Sequence, residues 1–361
     1  METSETAIFN QSGQAIELKD IAIPALQPGE ILVRNTYVTL CRSDLNTFCG
    51  KRIEPSPTIL GHEIVGTIAA FGGPGAYIDL RGLHLTVGDR ISWAIFSSDP
   101  HCSLSRQGIP QKGDHLFKYG HEKLTAQNTL HGGLSQYIIL KPHTPIVKLA
   151  EGLPNKVAAI INCAVATVAG ALRLAGTIHQ KQVLVSGAGM LGAVACAMAK
   201  TAGASAVVAF DINAARLELA KQYGADYALQ ANTDIATQLQ ALPLPTPGMD
   251  VVLEMSGVAD AMEQTIGMLN IGGVAVWVGA TYPERRVQVN AELLVRNLIT
   301  IKGLHNYNAA DFLNAVSFME AHHLDFPFEE MIYDGFNLQQ VNEAFAYGLQ
   351  NNPLRVGIEI L

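Results

Sequence analysis

The sequence predicts an α/β protein in two parts: a β-rich, barrel-like domain and a doubly wound parallel sheet. Three observations predict this. First, the β-branched run Val183-Leu184-Val185 stops at Gly187-Ala188-Gly189-Met190-Leu191-Gly192, and a small-residue helical pattern (Ala193, Ala195, Ala197, Ala199) starts at once. Second, short apolar runs alternate with helical patterns from about Asn162 to Gly303. Third, the first 150 or so residues carry short strands such as Ile31-Leu32-Val33 and Ile64-Val65-Gly66-Thr67-Ile68, broken by Pro28-Gly29, Gly72-Gly73-Pro74-Gly75 and Gly132-Gly133. Regular strands with turn signals read as a β-rich barrel, whereas strands alternating with helices read as a parallel sheet.

In the middle of the chain, Gly187 permits a tight strand-to-helix turn and Gly189 lets backbone approach a pyrophosphate. Gly192 lets the helix pack closely on the strand, and the helix N-terminus offers free N–H groups to phosphates. A second strand, Ala206–Phe210, ends in Asp211, and 211 − 189 = 22. An acidic side chain at about that spacing accepts hydrogen bonds from an adenosine ribose and repels a 2′-phosphate. The cofactor therefore reads as NAD rather than NADP. Further strands are expected near Tyr227–Leu229, Val251–Leu253, Val274–Val278 and Leu298–Ile301, with a helix around Ala214–Tyr223. That makes six strands. Beyond Leu304 the sequence predicts a helix over Ala309–Ala321, and an apolar end, Val356–Leu361, that returns to the first domain.

At 361 residues, two domains are expected. Hydrophobic content of 48% against 16% charged residues indicates a packed globule rather than a disordered chain. The net charge, 24 − 32 = −8, argues against a nucleic-acid partner. No apolar run is read as a membrane span and no secretory signal is visible, so the expected setting is the cytoplasm with no membrane partner. Five cysteines, at 41, 49, 102, 163 and 196, then read as thiols or metal ligands rather than disulfides.

Cys41 is followed by His62 after 62 − 41 = 21 residues. A thiolate and an imidazole suit Zn²⁺, and a catalytic zinc takes three protein ligands with one position left open. A third donor must come from elsewhere, and Cys163 stands near the domain junction.

The motifs Cys41-Arg42-Ser43-Asp44, Gly61-His62-Glu63-Ile64-Val65-Gly66, Val87-Gly88-Asp89-Arg90 and Gly132–Tyr137 join Cys163–Thr167, Gly187–Gly192 and Asp211-Ile212-Asn213. With them, nearly the whole chain resembles the zinc-dependent medium-chain alcohol dehydrogenases. The resemblance implies a GroES-like catalytic domain (1–163 and 304–361) and a Rossmann NAD-binding domain (164–303). It also implies one catalytic zinc on Cys41, His62 and Cys163, with Glu63 beside the metal as an occasional ligand. Ser43 would hydrogen-bond the reacting alcohol, and Asp44 would orient His62. Arg42 and Arg355 would hold the pyrophosphate, Arg216 the adenosine ribose side, and Thr167 and Val278 the nicotinamide region, with Met190 and Leu191 completing the phosphate turn. The implied reaction is hydride transfer between an alcohol or carbonyl substrate and NAD, in a homodimer or homotetramer.

Two positions depart from that family. A four-cysteine lobe that holds a structural zinc in many members corresponds here to Asp99, Cys102, Ser105 and Gly113. One thiol in four cannot make a closed tetrahedral site, so no second zinc is expected. A substitute set of His101, Cys102, His115 and His121 is the alternative. Where a proton-relaying His often stands, this chain has Asn46, whose amide cannot relay a proton at neutral pH. His305 matches a position lining the substrate pocket, which suggests a polar substrate. The segments Phe117–Glu122 and Gly303–Tyr307 also resemble a branch associated with phosphonate catabolism. The competing readings are a zinc-free quinone or enoyl reductase of the same fold, which would lack the Cys41/His62/Cys163 set, and a non-catalytic NAD-binding protein.

Overall fold

The computed structural model describes residues 2–231, 235–282 and 285–360. Met1 and Leu361, the outer ends of the expected catalytic segments, lie outside the described residues, as do 232–234 and 283–284 of the expected NAD-binding domain. The chain divides into two compact units. The first comprises Met1–Ala166, Asn308–Leu324 and Phe328–Leu361; the second comprises Thr167–Tyr307 and Asp325–Pro327.

The first unit begins with β1 (Thr3–Ile8) and β2 (Glu17–Ala22), an antiparallel pair, and continues with β3 (Ile31–Leu40), β4 (Glu63–Phe71) and β5 (Arg90–Trp93). The short β6 (Phe96–Ser97) and β7 (Phe117–Lys118) pair with each other, and β8 (Tyr137–Leu140) and β9 (Ile146–Lys148) follow. The second unit supplies β10 (Gln182–Ser186), β11 (Ala206–Asp211), β12 (Tyr227–Gln230), β13 (Met249–Glu254), β14 (Leu269–Trp277) and β15 (Thr300–Gly303). The chain then returns to the first unit with β16 (Ile332–Asn337) and β17 (Arg355–Glu359).

The larger sheet runs β16-β17-β3-β4-β5-β9, with β8 also on β3. Its long strand β3 pairs antiparallel with β4, β8 and β17, so three distant segments share one backbone. Inward side chains, among them Val33, Val38, Leu40, Ile64, Ile91, Trp93 and Ile138, form one core. Fully burying a side chain such as Ile64 contributes about 1.5–3 kcal/mol. The tail pairs Val356 with Leu40 and Ile358 with Val38, as the apolar end of the sequence suggested.

The second unit is a six-stranded parallel sheet in the order β12-β11-β10-β13-β14-β15. Its central strands are buried along their length and so read as continuous apolar runs, as expected of a parallel sheet covered on both faces. The edge strand is shifted from the sequence expectation. Leu298 takes a left-handed conformation (φ 53°) at the C-cap of helix Ala291–Asn297, so β15 starts at Thr300. The expectation that no stretch is long and apolar enough to span a membrane also needs correction. Asn155–Ala175 is such a helical stretch, 21 residues with mean hydropathy 1.9, but 72% of its apolar window is buried inside the protein.

Candidate active site

Cys41 lies at the end of β3 and caps helix Arg42–Phe48. Two residues into that helix, Asp44 ties the corner together. Its Oδ2 accepts the Cys41 N–H at 2.9 Å, and its Oδ1 accepts the Gly61 N–H at 3.1 Å. This brings the start of β4, and with it His62, beside Cys41. Cys163 arrives by a different device. It sits in a single π-helical turn, Ile161–Val165, where the Val165 N–H reaches the Ile160 carbonyl at 3.3 Å. Such wide turns are frequent at functional sites. The preceding Asn162 accepts the Ile64 N–H at 3.4 Å, which anchors the turn to β4 next to His62.

The outcome is one cluster: the ligand atoms of Cys41, His62 and Cys163 all lie within 4.8 Å of one another. His62 is 2% exposed and Cys41 9%. Among the described residues no other set of three His, Cys, Asp or Glu side chains converges in this way. The His62 Nδ1 is 3.4 Å from Asp44 Oδ1, a charge contact rather than a well-aligned hydrogen bond, and Ser43 Oγ is 3.4 Å from His62 Nε2.

The electrostatics match a thiolate site. The Cys163 thiol donates toward Cys41, and with Arg355 and His62 nearby it holds Cys41 well below the usual thiol range. Cys163 is pushed up by the same contact and by burial. Burial works against a charged His62, yet the Asp44 carboxylate and the Cys41 sulfur outweigh it and raise the imidazole.

Glu63, expected beside the metal as an occasional ligand, lies next to the cluster with its carboxylate held by other groups. Arg355 holds its carboxylate bidentately, Nε to Oε2 at 2.6 Å and Nη2 to Oε1 at 2.8 Å, and Thr39 Oγ1 donates to Oε2 at 2.6 Å. Both residues are buried, Glu63 fully. Arg355 Nη1 donates to the Leu354 carbonyl and Nη2 approaches Cys41 Sγ at 3.6 Å. The guanidinium thus serves the protein's own groups. Arg42 is exposed and donates to the Asn352 side-chain oxygen.

Sequence reasoning placed His121 only in the alternative metal set of the lobe and missed its position beside His62. Its ring lies 4.8 Å from that of His62, and its Nδ1 is 3.1 Å from Glu54 Oε1. No local signal could have revealed contacts 59 and 67 positions apart in sequence. His121 is thereby drawn away from the alternative metal set with His101, Cys102 and His115. In that lobe Cys102 Sγ instead accepts the Ser105 and Asp114 N–H groups at 3.4 and 3.3 Å.

In the second unit the glycine turn behaves as its composition demands. Gly187 has φ +91°, and a Cβ on Gly192 would lie 1.9 Å from the Gly187 carbonyl oxygen. The space over Gly189 is open, with Arg216 Nη1 the nearest side-chain atom at 4.0 Å from a notional Cβ. Met190 and Leu191 open helix Met190–Thr201. Asp211 closes β11, where its Oδ2 accepts the Ala188 N–H at 2.7 Å and its Oδ1 the Asn213 N–H at 2.8 Å. Val278 follows β14, Thr167 is buried, and His305 is exposed just after β15.

Residues 27–151 match the alcohol dehydrogenase GroES-like domain family, and residues 191–321 match the zinc-binding dehydrogenase family. The chain is 30% identical over 311 residues to an L-threonine 3-dehydrogenase of Deinococcus deserti, covering 83% of each protein. The chain belongs to the zinc-dependent medium-chain alcohol dehydrogenase family. It is a zinc-dependent oxidoreductase acting on CH–OH groups with a nicotinamide cofactor and a small-molecule substrate. Among solved structures, an alcohol dehydrogenase of Thermotoga maritima superposes with a TM-score of 0.93 at 26% identity over 100% of both chains. A zinc-binding dehydrogenase of Sinorhizobium meliloti, solved with NADP, superposes at 0.85 with 19% identity over 99% of this chain and 100% of that one, a likeness of fold alone.

Proposed function

We propose that Cys41, His62 and Cys163 hold the one catalytic zinc of this dehydrogenase. The observation that carries the reading is the convergence of two sulfurs and one imidazole nitrogen within 4.8 Å, on a buried histidine whose other nitrogen faces Asp44. Two soft thiolates and an imidazole fit Zn²⁺ with an open fourth position. Bound there, zinc would supply Lewis acidity toward an alcohol or carbonyl oxygen, and a bound NAD would supply the hydride chemistry.

This chain's own residues supply position and proton handling. Asp44 fixes the orientation of His62 through Nδ1. Ser43 Oγ, beside His62, would hydrogen-bond the reacting hydroxyl, taking its proton as Ser43 releases its own to solvent water. Glu63 and Arg355 form a buried frame that keeps a positive charge against Cys41. In the second unit the Gly187–Gly192 turn receives the pyrophosphate and Asp211 the ribose, so NAD⁺ is preferred over NADP⁺. We assign residues 1–163 and 304–361 to catalysis and 164–303 to cofactor binding. A homodimer or homotetramer in the cytoplasm completes the reading. Five free thiols support the compartment, and the open edge of β15 supports self-association.

The substrate is a polar alcohol, secondary or phosphonate-bearing. Exposed His305 supports this, as does L-threonine, the substrate named for the Deinococcus deserti relative and itself a polar secondary alcohol. The test is turnover by zinc-loaded protein on ethanol, L-threonine and 2-hydroxypropylphosphonate with each cofactor. Polar alcohols should outperform ethanol with NAD⁺. Ethanol as best substrate refutes the substrate class, and equal use of NADP⁺ refutes the cofactor preference.

A further inference from the structure

The strand order of the second unit reverses at β10: β11 and β12 lie to one side, and β13, β14 and β15 to the other. A dinucleotide lies across such a reversal, with one half over each side. The proposed cofactor site puts the pyrophosphate at the Gly187–Gly192 turn and the adenosine ribose at Asp211, the end of β11. The nicotinamide half is then directed to the ends of β13 and β14. β13 ends in a carboxylate. Glu254 is fully buried and stands in register with Ser186, the last residue of β10.

This residue ties three loops together. Its Oε1 accepts the Ser256 N–H at 2.9 Å and the Gly257 N–H at 3.2 Å, and the Ser256 hydroxyl donates to the same oxygen. Its Oε2 accepts the Gly257 N–H at 3.1 Å. The Glu254 carbonyl accepts the Val278 and Gly279 N–H groups at 2.9 and 3.1 Å. The loop so held packs on the glycine turn, since a Cβ on Gly187 would lie 2.8 Å from Ser256 N. On its other side, a Cβ on Gly257 would lie 2.3 Å from the Gly279 oxygen. Ser256 itself is exposed, so one residue separates the carboxylate from the surface of the cleft rim.

Both oxygens accept N–H groups, which is the work of an ionised carboxylate. Among the described residues, every group that bonds them is an uncharged donor. Burial outweighs these hydrogen bonds and pushes the carboxyl above its usual range. A buried negative charge without a counter-ion is costly, and a cation brought near it relieves that cost. The nicotinamide ring carries a positive charge in NAD⁺ and none in NADH.

We propose that Glu254 sets the oxidation-state preference of the cofactor site, its buried carboxylate favouring the cationic ring of NAD⁺ over the neutral ring of NADH. The inference rests on the NAD reading of the glycine turn and adds the residue that tells the two forms apart. Glu254 acts from behind Ser256 and Gly257, as a positioning and specificity residue rather than a catalytic one. Once hydride transfer removes the ring's charge this attraction is gone, which eases release of NADH and favours the oxidative direction.

The test is calorimetric titration of the zinc-loaded enzyme with NAD⁺, NADH and ADP-ribose, which lacks the nicotinamide. Glu254→Gln keeps the size and an acceptor oxygen but removes the charge. The ratio of Kd for NAD⁺ to Kd for NADH should rise about tenfold in it, while Glu254→Asp, still charged, should stay within about twofold of the unmodified protein. Equal changes for all three ligands in Glu254→Gln would mean that the residue only holds the loop, and overturn the proposal. If Glu254→Gln does not fold, exposed Ser256 carries the test. Ser256→Ala strips the hydroxyl from Oε1 and leaves the charge less neutralised, so the same ratio should fall about twofold. An unchanged or higher ratio overturns the proposal. Failure of the unmodified protein to bind any of the three would sink the NAD reading itself. Binding of all three with a ratio blind to Glu254 sinks the charge inference alone.

Discussion

Cys41 and Cys102 belong to the same unit, and each stands immediately before a short helix, Arg42–Phe48 and Ser103–Arg106. Their sulfurs meet different company. Around Cys41 the fold brings a second thiol, an imidazole and a buried guanidinium. Around Cys102 it brings two backbone N–H groups at 3.3–3.4 Å and the Ser105 hydroxyl at 3.2 Å. Hydrogen bonds also hold Cys102 below the ordinary thiol range, Ser105 foremost. An acidic thiol at a helix start is therefore no metal site by itself. Convergent soft donors make one, and here three segments distant in sequence deliver them.

The largest effect that would break this contrast is at Cys163. Replacing it with Ala leaves two donors, too few for a catalytic zinc. Zinc content should fall from about one per chain toward zero and turnover should disappear, with the folded circular-dichroism spectrum retained. Full zinc content in Cys163→Ala, by elemental analysis, would show that the cluster is not the metal site.

The next largest is in the frame behind Cys41. Arg355 and Glu63 are 3% and 0% exposed, and Arg355→Met leaves the Glu63 carboxylate buried with only the Thr39 hydroxyl. Breaking one side of a buried pair costs roughly 3–5 kcal/mol. Denaturant unfolding should register that loss, and a change under 1 kcal/mol would mean the pair is not the frame described.

How much of this could be read from the sequence follows from contact range. The strand-turn-helix at Val183–Gly192 was legible because a buried parallel strand is an apolar run and its turn demands glycine at Gly187 and Gly192. The return of Val356–Ile360 to the first unit was legible as an apolar end. Cys41, His62 and Cys163 were legible as residue types and motifs, but their convergence depends on Asp44 bridging to Gly61 and Asn162 bridging to Ile64. The Glu63–Arg355 pair, 292 positions apart, and the His121 ring on His62 carried no local mark. The shifted start of β15 came from a left-handed Leu298, a conformation uncommon for leucine that its apolar character does not announce.

The contrast can also be sharpened by converting one loop into the other. Ser105 and Gly113 already lie beside Cys102 Sγ, at 3.2 Å from the Ser105 hydroxyl and 3.1 Å from a Cβ on Gly113, and Ser105 Oγ donates to the Asp99 carbonyl at 2.7 Å. Gly113 has φ −68°, so a side chain is conformationally allowed there. The triple variant Asp99→Cys, Ser105→Cys, Gly113→Cys supplies four thiols and should raise zinc from about one to about two per chain. An unchanged stoichiometry would mean that the four positions do not share a tetrahedral centre.

The smallest effect comes from deleting one hydroxyl in the lobe. Ser105→Ala removes the bond to the Asp99 carbonyl and the contact with Cys102 Sγ, while the Ser105 and Asp114 N–H groups still reach the sulfur. A net hydrogen bond contributes about 0.5–1.5 kcal/mol, and Ser105 is only half-buried, so water replaces part of the loss. The expected result is a Tm lowered by roughly 1–4 °C, with zinc content and kcat unchanged. If the lobe is held by its own hydrogen bonds and the cluster at Cys41 by its metal, thermal stability moves without the metal. A loss of zinc in Ser105→Ala would tie the two loops together and end the distinction between them.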